Sequence, residues 1–509
     1  MKDCRLGFYG RLAAWLLAIV VAALVCVLAI WWGGLNQDEG WYLYAARLVG
    51  EGKMPYRDFF FTQGPVLPYV YSFMPIRGLL SGRLVTFVFS AFSVLAAMAL
   101  ARRLVQRDCR GAVSLAVFAL LACNLYHMYF TSIPKTYALG AFFVVSGFLL
   151  LSKGWNFFSA VSFAVASGTR ISLVLILGVV GTGLMVARFR QLHWLWFGLG
   201  GILGLATVYG FFAFDPQSLR GLLAAQAYHA GRGGFDIFFA VGAVSRLARG
   251  YLAMGAVMFA AIALAGTRAS CRMDAVDCNS GWMRWVIGLS FAAVFFLQLS
   301  APFPYDDYQV PVMPLLAVLV AVLFANRSAA SGVAMRFALP VLVSGMCAFA
   351  SPLVQDWMTD GQDRFWSKRK TQSELAQIRD MARKLEKMDP GGEMILTQDA
   401  YLAVEMNRKV PDGLEMGPFS YFPALSTFEA QALHVMNTER MERLLRSAPC
   451  RLAAFSGYGF AIEVPKGVET PKEVQGKFRS ILADSYEKVL SVPDFGQNHT
   501  TLDCYLRMR

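Results

Sequence analysis

Long apolar runs separated by short basic clusters constrain this chain more than any other feature. The first run extends from Leu12 to Trp32 and follows Lys2, Arg5 and Arg11. A helix needs about 20 apolar residues to cross a bilayer, and this run has that length. Signal peptides have shorter apolar cores and a small-residue cleavage site. Here Trp31 and Trp32 end the run instead, as interfacial aromatics do. Ten further apolar runs lie at 84–103, 112–130, 136–152, 155–169, 171–187, 194–213, 251–266, 285–300, 309–325 and 337–354. Lipid gives backbone polar groups no partner, so each run must close its hydrogen bonds within a helix. The expectation is a polytopic α-helical membrane protein with about eleven transmembrane helices. Composition agrees: 56% of the 509 residues are hydrophobic and 16% charged, against about 25% charged in soluble proteins.

The basic clusters orient the bundle. Arg102, Arg103, Arg107 and Arg110 follow the second run, Lys153 the fourth, and Arg188 and Arg190 the sixth. Arg268, Arg272 and Arg284, then Arg327 and Arg336, separate later pairs. With the N-terminus in the cytoplasm, every cluster is cytoplasmic, as the positive-inside rule requires. An odd helix count then leaves the C-terminal region outside. Topology thus accounts for the net charge of +13. Without a basic-aromatic motif, that charge implies no nucleic-acid partner. Two outer loops also carry cations: Arg47, Lys53, Arg57, Arg77 and Arg83 in 33–83, and Arg220, Arg232, Arg246 and Arg249 in 214–250. They imply helices resting on headgroups or a bound anion.

Past residue 355 the pattern becomes charged and mixed, which divides the chain into a transmembrane domain, 1–355, and a C-terminal α/β domain, 356–509. Periodicity in the second predicts helices over 372–388, 400–406, 428–446 and 471–484, with strands at 393–397, 452–455, 486–491 and 500–507. No glycine fingerprint opens any of these helices, so no dinucleotide site is expected. The nine cysteines show no metal-ligand spacing, and Cys271 and Cys278 lack companion ligands. Cys450 and Cys504 either pair or stay as buried thiols.

The segment most informative about chemistry is 36–71, NQDEGWYLYAARLVGEGKMPYRDFFFTQGPVLPYVY. It places Asp38 and Glu39 at the water boundary directly after the first run, where acids near lipid are costly and functional candidates. Asp38 also fits the N-cap of a helix through 41–49. Asp38-Glu39-Gly40, Trp41-Tyr42, Pro55-Tyr56-Arg57-Asp58-Phe59, Gln63-Gly64-Pro65 and Pro68-Tyr69 together resemble the first extracytoplasmic loop of the GT-C superfamily of membrane glycosyltransferases. In particular, they resemble the branch containing protein mannosyltransferases and lipid A aminoarabinose transferases. Lys135-Thr136-Tyr137, Gly168-Thr169-Arg170 and Tyr305-Asp306-Asp307-Tyr308 are similar to later segments of that family. The basic residue usual before the last tyrosine is replaced by Asp307.

The resemblance implies an inverting glycosyltransferase of the bacterial inner membrane, with its C-terminal domain in the periplasm. It would move a sugar from a polyprenyl-phosphate donor to a hydroxyl of a glycan, lipid or protein acceptor. Asp38 is then the base, with Glu39 an orienting or backup carboxylate. Arg170, Lys135 and Arg57 are candidates for the donor phosphate. Their alternatives are snorkelling for the first two and an ion pair with Asp58 for Arg57. Asp58, Gln63, Tyr137, Asp306, Asp307 and Tyr308 are candidate substrate contacts. No cofactor is required, but Asp306 and Asp307 make a divalent cation possible, or else a solvated loop. His229 and 231–234 form either a lid over the site or a turn. A transporter or flippase of lipid-linked sugars is the alternative activity, although it would call for polar residues at span centres or inverted repeats. A structural subunit of an envelope complex is a third reading.

Overall fold

The computed structural model describes residues 2–188, 191–231, 234, 236–265, 278–329, 331–360 and 368–508. Arg190, Arg232, Gly233, Arg268, Cys271 and Arg272 lie outside the described residues. The apolar part begins with α1 (Lys2–Val27), extended by a π-helical turn over Leu28–Trp32. Then come α2 (Gln37–Gly50), α3 (Val66–Ser72), α4 (Leu79–Arg103), α5 (Arg110–Ala122), α6 (Leu125–Phe130), α7 (Thr136–Ser152) and α8 (Asn156–Ser167). They are followed by α9 (Val174–Arg188), α10 (His193–Phe214), α11 (Pro216–Ala230), α12 (Ile237–Ala265), α13 (Cys278–Leu299), α14 (Met313–Arg327), α15 (Leu339–Phe349) and α16 (Pro352–Met358).

The chain is a multipass membrane protein. Among the described residues, 6 helices are long and apolar enough to cross a bilayer, or 7 if the pair bent by 42° at Phe349–Pro352 is one span. The runs at 136–152, 155–169 and 171–187 form shorter apolar helices. The run at 112–130 divides because Asn124 intervenes: its Oδ1 accepts the His127 N–H (3.1 Å) to start α6, and its Nδ2 donates to the Gly250 carbonyl (2.7 Å).

The C-terminal part holds a short pair β1 (Thr359–Asp360) and β2 (Lys368–Arg369), then α17 (Glu374–Met388), α18 (Ala400–Glu405), α19 (Thr427–Ala432) and α20 (Thr438–Ser447). β3 (Leu452–Phe455), β4 (Ile462–Glu463), β5 (Val468–Glu469), α21 (Lys472–Ser485), β6 (Tyr486–Phe495) and β7 (Thr500–Arg507) complete it. β3, β7 and β6 form an antiparallel sheet in that order, and β4 pairs with β5 as a hairpin. The helix expected over 428–446 divides because Asn437 caps a new start, accepting the Arg440 N–H at 2.9 Å. The strand expected at 393–397 makes only isolated bridges, Met394 to Lys409 and Leu396 to Ala453. Cys504 sits opposite Ala454. Cys450 is therefore displaced along the ladder by about 13 Å at ~3.3 Å per residue, beyond disulfide reach. Both are buried free thiols.

The two parts meet along α2. Its residues Trp41 to Ala46 are buried on every side, as expected of a helix apolar all round. The C-terminal part holds its start: the Leu35 N–H donates to Glu374 (2.7 Å) and the Gln37 N–H to Gln497 (2.8 Å). Further along, the Val410 N–H donates to the Tyr44 hydroxyl at 2.9 Å. Glu405 likewise caps α4, accepting the Leu79 N–H at 2.9 Å. At the centre of the contact, a Cβ on Gly40 would lie 2.1 Å from the Tyr401 backbone nitrogen. Backbone cannot yield as a flexible side chain does, so Gly40→Ala should cost about 3 kcal/mol, the upper end of the usual overpacking range. A lowered melting temperature in detergent, with new protease sensitivity after Met358, checks this. An unchanged melting curve would refute the tight contact.

Candidate active site

Four charged side chains converge where α2, the start of α7, the turn after α8 and the entry to α14 meet. The Asn36 side chain caps α2 by accepting the Asp38 N–H (3.0 Å), and Glu39 accepts the Asn36 N–H (3.0 Å). Asn36, rather than Asp38, is thus the cap, and Asp38 is left in the first turn with its carboxylate available. Asp38 Oδ1 accepts the Trp41 indole N–H (3.2 Å), and Oδ2 lies 2.8 Å from Lys135 Nζ. Lys135 also reaches Asp307 Oδ2 at 2.8 Å, and the Tyr137 hydroxyl donates to the same oxygen at 2.9 Å. Lys135 is 6% exposed and Asp307 12%, but Asp38 is 27% exposed. Burial alone would depress the Lys135 pKa; the carboxylates of Asp307 and Asp38 outweigh it and hold the ammonium well above the ordinary lysine value.

Arg170 differs from Lys135. Its guanidinium makes no hydrogen bond or ion pair among the described residues. It stacks instead over Tyr308, 4.3 Å from the ring centroid, and near Tyr137 at 5.2 Å. Such stacking fixes the plane of the guanidinium and leaves its edge donors for a ligand.

Asp38, Lys135, Arg170, Gln63, Tyr137, Asp307 and Tyr308 all line one cavity of about 310 Å³. The other expected site residues lie elsewhere. Both Glu39 oxygens are taken by Arg83, at 2.7 and 2.8 Å, and both side chains are fully buried. Arg57 pairs with Asp58 (2.9 Å) away from the cavity, and Asp58 also accepts the Met54 N–H (2.7 Å). Asp306 turns from Asp307 to meet the Tyr126 hydroxyl (2.8 Å) and Arg246 (3.3 Å). The two neighbouring acids therefore do not converge on one cation. No cluster of three or more His, Cys, Asp or Glu suited to a metal occurs among the described residues.

His229, at the end of α11, lines the cavity and its Nε2 lies 2.8 Å from the Thr62 carbonyl. The C-terminal part supplies further walls: Met416, Pro418 and Phe419, then Tyr458, Ile462 and Gln497. None of these six was expected from sequence. The preceding Glu415 is buried, and burial followed by the nearby Asp412 carboxylate pushes its pKa from 4.5 up to about 7. The folded protein then keeps a proton that the unfolded chain releases above 4.5. This contribution to stability is full below pH 4.5 and lost as pH rises to about 7, at most ~3 kcal/mol. His434, bonded to Asp412, is also raised, so its contribution has the same sign. Glu415→Gln should flatten the decline in melting temperature between pH 5 and 7; an unaltered slope would assign the decline to His434 or other groups.

No protein-family model matches the chain, and no curated protein sequence does. Its fold is nevertheless that of ArnT from Cupriavidus metallidurans. With the ArnT structure bound to undecaprenyl phosphate, the TM-score is 0.60 at 13% identity, covering 96% of this chain and 97% of that one. With the apo ArnT structure it is 0.59 at 14% identity, with the same coverage. The polytopic helical membrane fold with a C-terminal sheet region, expected from sequence, is the fold observed.

Proposed function

We propose that the chain is an inverting glycosyltransferase at the extracytoplasmic face of a bacterial inner membrane, taking its sugar from a polyprenyl-phosphate donor. The observation that carries this reading is one cavity holding a partly exposed carboxylate, Asp38, and a guanidinium, Arg170, with no ion-pair partner among the described residues. ArnT, which shares the fold, has been seen with undecaprenyl phosphate.

The donor carries its own leaving group. As the bond from the anomeric carbon to phosphate breaks, negative charge grows on the phosphate, and Arg170 stabilises it. The acceptor hydroxyl becomes acidic as its oxygen bonds to that carbon, so a weak base suffices, and Asp38 takes the proton. Lys135 positions Asp38 before transfer. Because it is shared with Asp307, the ammonium keeps a carboxylate partner once Asp38 is protonated. A retaining route needs a nucleophilic carboxylate close to the acid-base group. Asp307 is committed to Lys135 and Tyr137 and Glu39 to Arg83, which favours single displacement with inversion.

Mass spectrometry of envelope lipids and glycans, with and without the chain, tests the proposal. Loss of one pentose, hexose or amino sugar from a single component is expected. Identical profiles, together with translocation of polyprenyl-phosphate sugar in liposomes without product, would replace it with a transporter.

A further inference from the structure

The far end of the bundle holds a second concave site. α4 begins beside Glu405, at the C-terminal part, and runs 25 residues to Arg103, about 37 Å at ~1.5 Å per residue. α7 begins after Lys135 and ends before Lys153, so its foot lies about 25 Å from the cavity. There Leu95, Met98 and Leu149 wall a groove of about 440 Å³, and Arg102, Arg103, Arg110 and Lys153 rim it. The groove is thus built from α4, α5 and α7.

None of the four cations meets a carboxylate among the described residues. Arg103 donates to the Ser152 carbonyl at 2.9 Å, and Lys153 lies 5.7 Å over the Trp155 ring. Arg284 and Arg336 of the same bundle each donate to a carbonyl, Leu104 and Asp108. The guanidinium of Arg110 makes no hydrogen bond among the described residues, and its Nε is buried. Scattered snorkelling cations would satisfy the positive-inside pattern equally well. It does not require cations from three helices to converge on one apolar hollow without a counter-charge.

We propose that this groove binds one anionic phospholipid, its phosphate among the four cations and a hydrocarbon chain against Leu95, Met98 and Leu149. The direction of the chain follows from α4. Val88, Phe92 and Leu95 stand on one helix face, 48%, 49% and 57% exposed, and lead from the groove along the bundle exterior. A free phosphate ion would use the cations but not this apolar face. The site is independent of the sugar-transfer reading, because it lies at the opposite end of the bundle from Asp38.

Native mass spectrometry of the full chain with phosphatidylglycerol, phosphatidylcholine or inorganic phosphate tests the proposal. The wild type should retain one phosphatidylglycerol at least ~10-fold more tightly than phosphatidylcholine, with no competition from equimolar inorganic phosphate. Arg102→Gln, at an exposed position, should weaken retention about fivefold, and Arg110→Gln with Lys153→Gln about thirtyfold. Arg110→Lys with Lys153→Arg should restore it. Equal retention of the two lipids, unchanged retention in Arg102→Gln, or full competition by inorganic phosphate would each overturn the lipid site.

Discussion

Asp38→Asn should lower sugar transfer about 10³-fold, within the range spanned by loss of a general base. The variant should still insert, fold and bind polyprenyl phosphate. Asn is isosteric and keeps the Trp41 indole contact through its carbonyl oxygen, so the cavity should retain its shape. It cannot accept the acceptor proton, and Lys135 keeps Asp307 as a partner at 2.8 Å. The effect should therefore fall on turnover, with apparent donor affinity changed only a few-fold. Single-turnover kinetics with defined donor, alongside a melting curve, separate the two. Undiminished turnover in a folded Asp38→Asn protein would remove Asp38 from the chemistry.

Arg83→Ala should produce the largest loss of stability. The guanidinium bonds both Glu39 oxygens and three carbonyls, those of Ile30, Gly33 and Gly34, each at 2.9 Å. It thereby ties the end of the first span to the start of α2 from a place 0% exposed. Removing one partner of a buried pair strands the other charge and costs about 3–5 kcal/mol, a large part of the ~5–15 kcal/mol that holds a typical protein folded. The variant should fail to accumulate or should melt far below the wild type. The double variant Arg83→Met, Glu39→Leu separates architecture from chemistry. Replacing both charges by apolar groups is often near neutral, so folding and measurable transfer should both return in part. A double variant that folds as well as wild type but transfers nothing would make Glu39 a catalytic residue after all.

These two residues mark how far the sequence could be read. Hydropathy located the first span, and Asp38 followed because it stands directly after that run. Glu39 is its neighbour, but successive residues on a helix point about 100° apart, so one faces the cavity and the other is buried against Arg83. The same kind of divergence separates Asp307 from Asp306. Arg57 and Asp58, adjacent in a loop, satisfy each other. Lys135 was expected at the phosphate, yet Asp38 and Asp307, one of them 172 positions away, claim its charge. No local pattern reports such a partner. The walls from Met416 to Gln497 were illegible for a related reason: long-range packing of α2 against α18 carries them to the cavity.

The most direct test is the structure of the protein with a non-transferable polyprenyl-phosphonate sugar. Phosphonate oxygens should lie within about 3.2 Å of the Arg170 guanidinium, with the anomeric carbon open to a hydroxyl on the Asp38 side. A headgroup bound at another part of the bundle, with Arg170 and Asp38 untouched, would contradict this arrangement.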